Sequence, residues 1–306
     1  MQLQNRYRGA MLGLAAGDAV GTTVEFRPRG SFQPVRDMVG GGPFGLKPGE
    51  WTDDTSMALC LAESLVSRRG FDAADQMRRY CRWRDTGYLA SNGRCFDIGL
   101  TVSAALRRFE ESGEPFAGSP DPRTAGNGSL MRLAPAVLFG YPDAREAERL
   151  AAESSRTTHG AAECIDACRL FARMLCRALS GAPKEAVLLG DAEGFAGETA
   201  IAAIARGGYL RKSEDEVRGS GYVVESLEAA LWAFAGANSF EEAILRAVNL
   251  GDDADTTAAI AGQLAGAYWG EDGIPRRWKE RLALRDVIER LADDLLALAV
   301  ARNGSG

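Results

Sequence analysis

Two short acidic runs, Thr52-Asp53-Asp54-Thr55 and Asp252-Asp253-Ala254-Asp255-Thr256-Thr257, stand about two hundred residues apart, and each leads into an apolar stretch of helical character. Behind the first comes Met57-Ala58-Leu59-Cys60-Leu61-Ala62, and behind the second Ala258 to Gly266. Carboxylates at the mouths of helices that have to be buried are expensive unless something compensates them. A bound cation is one remedy, and the runs read as two halves of one metal site. A fold that brings them together has to close the chain on itself, which favours one domain over residues 1–306.

Helix capping is the competing account, because Asp and Thr are also favoured at an N-cap and in a first turn. One cap uses only one or two such groups. Five aspartates in two runs, with no Lys, Arg or His inside either, exceed that need, and the two roles are compatible. The donors are oxygens only, which suits hard ions such as Mg²⁺ or Mn²⁺ rather than zinc or copper.

Apolar residues recur at helical spacing at Ile98, Val102, Ala105, Leu106 and Phe109, at Cys164, Cys168, Phe171, Leu175 and Ala178, at Val224, Leu227, Leu231 and Phe234, and at Val287, Ile288, Leu291, Leu295 and Leu298. Period-two strands are missing, so the fold class is all-α. The 306 residues, 46% hydrophobic and 25% charged, are those of an ordinary globular chain. A net charge of −6 argues against a nucleic-acid footprint. The six cysteines form neither a C-x₂-C pair nor a disulfide framework, and no stretch approaches the length of a membrane span. The expected location is the cytoplasm.

Two segments exceed what packing alone requires. Arg27 to Glu50 has ten Gly or Pro in 24 residues, and loops of that length are usually functional. Its Gly40-x-Gly42-x-x-Gly45 contains Pro43 and follows no strand, which argues against a dinucleotide fingerprint. The second, Ser112 to Ser129, ends in Gly126-Asn127-Gly128-Ser129 before the helix-like Leu130 to Leu133. Free amides there could hold a phosphate, and a plain turn is the alternative.

Taken in order, Gly13-Leu14-Ala15-Ala16-Gly17-Asp18-Ala19-Val20-Gly21, Glu25, Trp51 to Thr55, Phe96-Asp97-Ile98-Gly99, Gly126 to Arg132, Thr158-His159, Gly221 to Val224 and Asn249 to Gly270 resemble the ADP-ribosylglycohydrolase family, in particular its bacterial dinitrogenase-reductase-activating branch. The resemblance spans nearly the whole chain. It implies an all-α domain with two divalent cations, Mg²⁺ or Mn²⁺, at the base of a cleft for ADP-ribose. It further implies Thr52, Asp53, Asp54, Asp253, Asp255 and Thr256 as metal ligands, with Asp255 best placed to serve both ions. Glu25 matches the family's essential glutamate, and Asp97 a substrate-proximal aspartate. Gly126, Asn127, Gly128, Ser129 and Met131 would line the pyrophosphate, and Tyr222 would stack on adenine or its ribose. His159, the only histidine, is either a hydrogen-bonded structural residue or a substrate contact. The stretch from Trp83 to Asp97 is longer than in nitrogenase-regulating members, which leaves the target open.

The implied reaction releases ADP-ribose from a modified acceptor, most directly the guanidinium of a protein arginine, by cleavage of an N-glycosidic bond. It needs charge stabilisation at the sugar, a water nucleophile and a proton donor, with Glu25 as acid/base. A small or non-protein acceptor, two-metal phosphoester hydrolysis and a non-catalytic ADP-ribose-binding protein are the competing readings. Phosphoester hydrolysis leaves Glu25 without a role. A non-catalytic protein would have lost the acid and the ligands, and this chain keeps them.

Overall fold

The computed structural model describes residues 1–303. Fourteen α-helices follow one another: α1 (Leu3–Gly21), α2 (Asp53–Arg68), α3 (Ala73–Thr86), α4 (Leu100–Ser112), α5 (Ala134–Gly140), α6 (Ala144–Thr158), α7 (Ala162–Ser180), α8 (Lys184–Leu189), α9 (Thr199–Ala205), α10 (Val223–Ala235), α11 (Phe240–Val248), α12 (Ala254–Trp269), α13 (Arg276–Lys279) and α14 (Arg285–Asn303). Strand pairing among the described residues is confined to isolated bridges, so the all-α expectation holds. None of these helices is long and apolar enough to cross a membrane.

Local signals explain many of the boundaries. Asp72 caps α3 by accepting from the Asp75 amide, and Gly87 ends that helix in the left-handed region. Asp143 caps α6 from two amides, and Gly181 closes α7 with φ 81°. The apolar face predicted for α7 is buried, Cys164 and Cys168 included, and all six cysteines are free thiols.

At the centre α1 and α12 lie antiparallel and almost backbone to backbone. Gly9, Gly13, Gly17 and Gly21 of α1 face Gly266, Gly262, Ala258 and Ala254 of α12 in strict register, each pair summing to the same position number. A Cβ added at Gly13 would sit 2.3 Å from the Gly262 carbonyl oxygen, and one added at Gly17 would sit 2.1 Å from that of Ala258. Glycine weakens a helix interior by about 1 kcal/mol relative to alanine. Four of them are tolerated in α1 because only a bare Cα allows this approach. Both helices are apolar nearly all round and buried, as such helices must be. The pairing has a consequence at one end: it sets the last turn of α1 against the first turn of α12, bringing Asp18 and the Thr22–Glu25 segment to Asp253 and Asp255.

Candidate active site

Asp18 organises the acidic centre. Buried completely in α1, it accepts from the Thr52 amide and hydroxyl at 2.9 Å each through Oδ1, and from the Thr55 amide at 3.0 Å and hydroxyl at 2.6 Å through Oδ2. The first amides of α2 are therefore capped from another helix. Thr52 and Asp253 occupy the N-cap positions of α2 and α12, yet neither side chain caps its own helix. Capping does not account for the acidic runs.

The two runs meet. Thr52 Oγ1 lies 3.2 Å from both Asp54 Oδ2 and Asp255 Oδ2 as well as 2.9 Å from Asp18 Oδ1, and Thr256 Oγ1 lies 3.4 Å from Asp54 Oδ2. One hydroxyl proton cannot serve three carboxylate oxygens. Asp54 Oδ1 and Asp255 Oδ1 are buried with no partner. Carboxylate oxygens of Asp18, Asp54 and Asp255 lie within 4.8 Å of one another, as do those of Glu25, Asp97 and Asp255, so Asp255 is common to both groups. Ion pairs among the described residues lie elsewhere, for example Arg8–Asp293 and Arg79–Asp75, and none includes these acids.

Burial is the first cause of the shifted proton affinities, and neighbouring negative charge the next. Asp53, Asp54 and Asp255 are all held well above the usual carboxylate range, with the strongest added repulsion from Asp97, Asp18 and Glu25 respectively. Burial also raises Asp18, against the lowering effect of its four hydrogen bonds. Burial and then the charges of Asp97, Asp253 and Asp18 push Glu25 up to about 9, and burial with Asp18 and Asp253 pushes Asp97 up to about 6. Orphaned buried oxygens, an all-oxygen donor set and no cationic partner fit hard divalent cations.

A cleft of about 570 Å³ opens over this centre, lined by Glu25, Asp53, Asp97, Asp253, Asp255 and Thr256 on one side and Gly126, Asn127, Gly128, Met131 and His159 on the other. Glu25 is only 3% exposed, so it is a buried acid and not a surface glutamate. Asn127 ties the walls together, its Nδ2 donating to Asp253 Oδ2 and Ser226 Oγ at 2.7 Å each. From α12, Gln263 pins the turn beyond it by accepting from the Ala134 amide and donating to the Leu130 and Met131 carbonyls.

Some expectations change. The residues after Ser129 form a turn and not a helix, and α5 begins only at Ala134, with Pro135 in its first turn. Any anion at Gly126 to Ser129 would be held by turn amides, since those of Gly128 and Ser129 have no backbone acceptor among the described residues. The Ser129 hydroxyl is buried against Ser155 Oγ at 2.8 Å and is spent there. Tyr222 lies beside the cleft, bridged to Gly126 and 39% exposed, with its hydroxyl donating to Glu163. Asp252 is exposed, and its backbone pairs with Phe26 and Arg27. Two residues carry more than the sequence suggested, Asp18 and Arg132. An ionisable group inside the otherwise apolar residues 9–21 of α1 was the available signal for the first.

Fold and site together define an all-α protein with a buried carboxylate centre beneath a glycine turn whose Gly128 and Ser129 amides have no backbone acceptor among the described residues. The sequence model of ADP-ribosylglycohydrolase matches residues 1–304, and the chain belongs to that family. It is 49% identical over 294 residues to the ADP-ribosylarginine hydrolase Tri1 of Pseudomonas putida (strain GB-1), covering 96% of this chain and 78% of that protein. Identity to the ADP-ribosyl-[dinitrogen reductase] glycohydrolase of Rhodospirillum rubrum is 34% over 305 residues, 97% of each chain. A solved ADP-ribosylglycohydrolase-related protein complex contains a chain that superposes with TM-score 0.86 at 48% identity, over 97% of this chain and 99% of that one.

Proposed function

We propose that the protein hydrolyses the N-glycosidic bond between ADP-ribose and an arginine guanidinium, in a reaction that depends on two divalent cations, Mg²⁺ or Mn²⁺, and reverses mono-ADP-ribosylation of protein. The observation that carries this reading is the buried carboxylate set with unpartnered oxygens, beside a glycine turn whose Gly128 and Ser129 amides have no backbone acceptor among the described residues, in a chain half identical to an ADP-ribosylarginine hydrolase. Thr52, Asp53, Asp54, Asp253, Asp255 and Thr256 would hold the cations. Asp18, whose two oxygens already accept four hydrogen bonds, orients Thr52 and Thr55. Cations bound there supply charge neutralisation and Lewis acidity.

The protein's own groups divide the remaining work. Glu25, whose proton affinity is raised by burial and then by Asp97, would give its proton to the departing guanidine nitrogen as the bond to the anomeric carbon breaks. As a carboxylate it then recovers a proton from the attacking water. Asp97 stands beside it and keeps its proton affinity high. The acceptor side is aromatic: Phe26, 66% exposed and lining the cleft, meets Phe44 edge-on at 6.4 Å, and Phe44 meets Phe96 at 5.1 Å. Aromatic faces beside carboxylates suit a planar cation, which favours arginine over a neutral acceptor.

The test is incubation with ADP-ribosyl-arginine and Mg²⁺ or Mn²⁺, with and without EDTA. Free ADP-ribose should appear only with the cation. Intact substrate under both conditions would remove the proposed reaction.

A further inference from the structure

Arg132 is completely buried, yet it pairs with no carboxylate among the described residues. A buried guanidinium normally has an ionic partner, because its desolvation costs several kcal/mol. Its longer contacts are with α6, to the Ser154 carbonyl at 3.3 Å and Thr157 Oγ1 at 3.4 Å, and its shorter ones run towards one wall of the cleft. Nη1 donates to the Gly128 carbonyl at 2.9 Å, Nη2 donates to Thr158 Oγ1 at 2.7 Å, and the guanidinium lies over the Tyr80 ring at 4.8 Å.

Hydrogen-bond direction carries these contacts forward. Arginine only donates, so Thr158 Oγ1 is an acceptor towards Arg132 and its own proton is free to point elsewhere. The other partner of that hydroxyl is His159 Nδ1 at 2.8 Å. A hydroxyl can accept twice, but this buried one has no other acceptor for its proton among the described residues; donation to Nδ1 satisfies it, and in a neutral imidazole that leaves the ring proton on Nε2. Burial and the nearby Arg132 charge keep the ring neutral, with its pKa lowered to about 3. The Nε2 edge faces the cleft beneath the glycine turn: a Cβ added at Gly126 would lie 3.4 Å from Nε2, and one added at Gly128 would lie 2.8 Å from Cε1.

We infer that Arg132 is a positioning residue which, through Thr158, fixes His159 as an Nε2–H donor aimed at a pyrophosphate oxygen of the ligand, while holding the Gly128 carbonyl back from the same wall. The contact with pyrophosphate rests on the proposed ADP-ribose-binding function; the choice of tautomer does not. Arg132 touches no substrate in this arrangement, and its positive charge lies behind the turn that receives the anion.

His159 is the only histidine in the chain, so ¹⁵N-histidine labelling reports this ring alone. The expected spectrum of the wild-type protein has a bare Nδ1 and a protonated Nε2, with the Nε2 resonance shifting when ADP-ribose is added. Thr158→Val keeps the shape but removes the hydroxyl; it should abolish the single-tautomer pattern and weaken ADP-ribose binding about tenfold, the scale of one hydrogen bond to a charged group. Thr158→Ser should restore both. Arg132→Lys, which keeps the charge but not the two-pronged donor, should behave like Thr158→Val. A proton on Nδ1 in the wild type, or a Thr158→Val protein with unchanged tautomer and affinity, would overturn the assignment. A wild-type protein that does not bind ADP-ribose overturns the functional reading and the contact with it, and the spectrum still decides the Arg132–Thr158–His159 relay.

Discussion

Thr52 Oγ1 lies 3.2 Å from Asp255 Oδ2 across 203 positions of sequence, and both are almost completely buried. With Asp18 and Asp54 also beside that one hydroxyl, negative charge is concentrated with one proton to share. Removing divalent cations with EDTA should therefore lower the Tm and stop hydrolysis, and Mg²⁺ or Mn²⁺ should restore both. Binding to the native state alone stabilises it by ~2.7 kcal/mol at a hundredfold excess over Kd. Differential scanning fluorimetry with metal titration measures this, and an unchanged Tm would exclude the site.

The same crowding sets a pH dependence for the metal-free protein. Glu25 is raised from 4.5 to about 9 and Asp97 from 3.8 to about 6, so the native state binds their protons more tightly than the unfolded chain does. That contribution is fully present below the unfolded values and is lost as pH rises through the folded ones. EDTA-treated protein should thus melt lower at pH 9 than at pH 5, and the gain in Tm on adding cation should grow over that interval. Thermal melts across the range check both trends; a flat profile would show that these acids are relieved in another way.

The close pairing of α1 and α12 can be tested away from the chemistry. Gly17→Ala places a Cβ 2.1 Å from the Ala258 carbonyl oxygen, and backbone cannot yield as a flexible side chain can. Overpacking of this kind costs about 1–3 kcal/mol, enough to outweigh the alanine's better helix propensity. Metal affinity should fall with stability, because the helix ends carrying Asp18 and Asp255 would separate. Gly194→Ala, whose Cβ would meet nothing within 4 Å, serves as the control in urea titrations.

How far the sequence alone reaches is visible in particular residues. Helical periodicity located the faces of α7, α10 and α14, and the two acidic runs implied their own meeting. Asp18 was harder: its role depends on the first turn of α2, which only the tertiary fold delivers. Leu130 to Leu133 looked helical, yet Gln263 takes the Leu130 and Met131 carbonyls and Pro135 marks the true start of α5. That proline was a usable signal, since proline is favoured in a first helical turn. The direction of the Arg132–Thr158–His159 contacts had no counterpart in spacing.

The aromatic rim makes a separable prediction. Phe26 holds an exposed ring beside Glu25 with φ 62°, a conformation a bulky residue rarely adopts without purpose. If the ring meets the departing guanidinium, Phe26→Ala should raise KM for ADP-ribosyl-arginine about two- to fivefold, in line with ~0.5–1 kcal/mol for an exposed cation–π contact. Affinity for free ADP-ribose should not change. Equal losses for both ligands would place the ring against ADP-ribose rather than the acceptor.

Glu25 separates catalysis from binding. Its carboxyl is buried at the end of the Thr22–Val24 turn, with Oε2 3.4 Å from Thr22 Oγ1, and faces the cleft beside Asp97 and Asp255. Glu25→Gln preserves size and much of the hydrogen bonding but removes the titrating proton. Turnover should fall by ~10²–10⁴, the range for loss of a positioned acid/base. ADP-ribose affinity and metal-induced stabilisation should persist, because the amide still fills the same space and the ligand set is intact. Single-turnover kinetics alongside calorimetry distinguishes the cases. Near-wild-type turnover in Glu25→Gln would transfer the proton chemistry to Asp97, and Asp97→Asn should then be the variant that loses turnover.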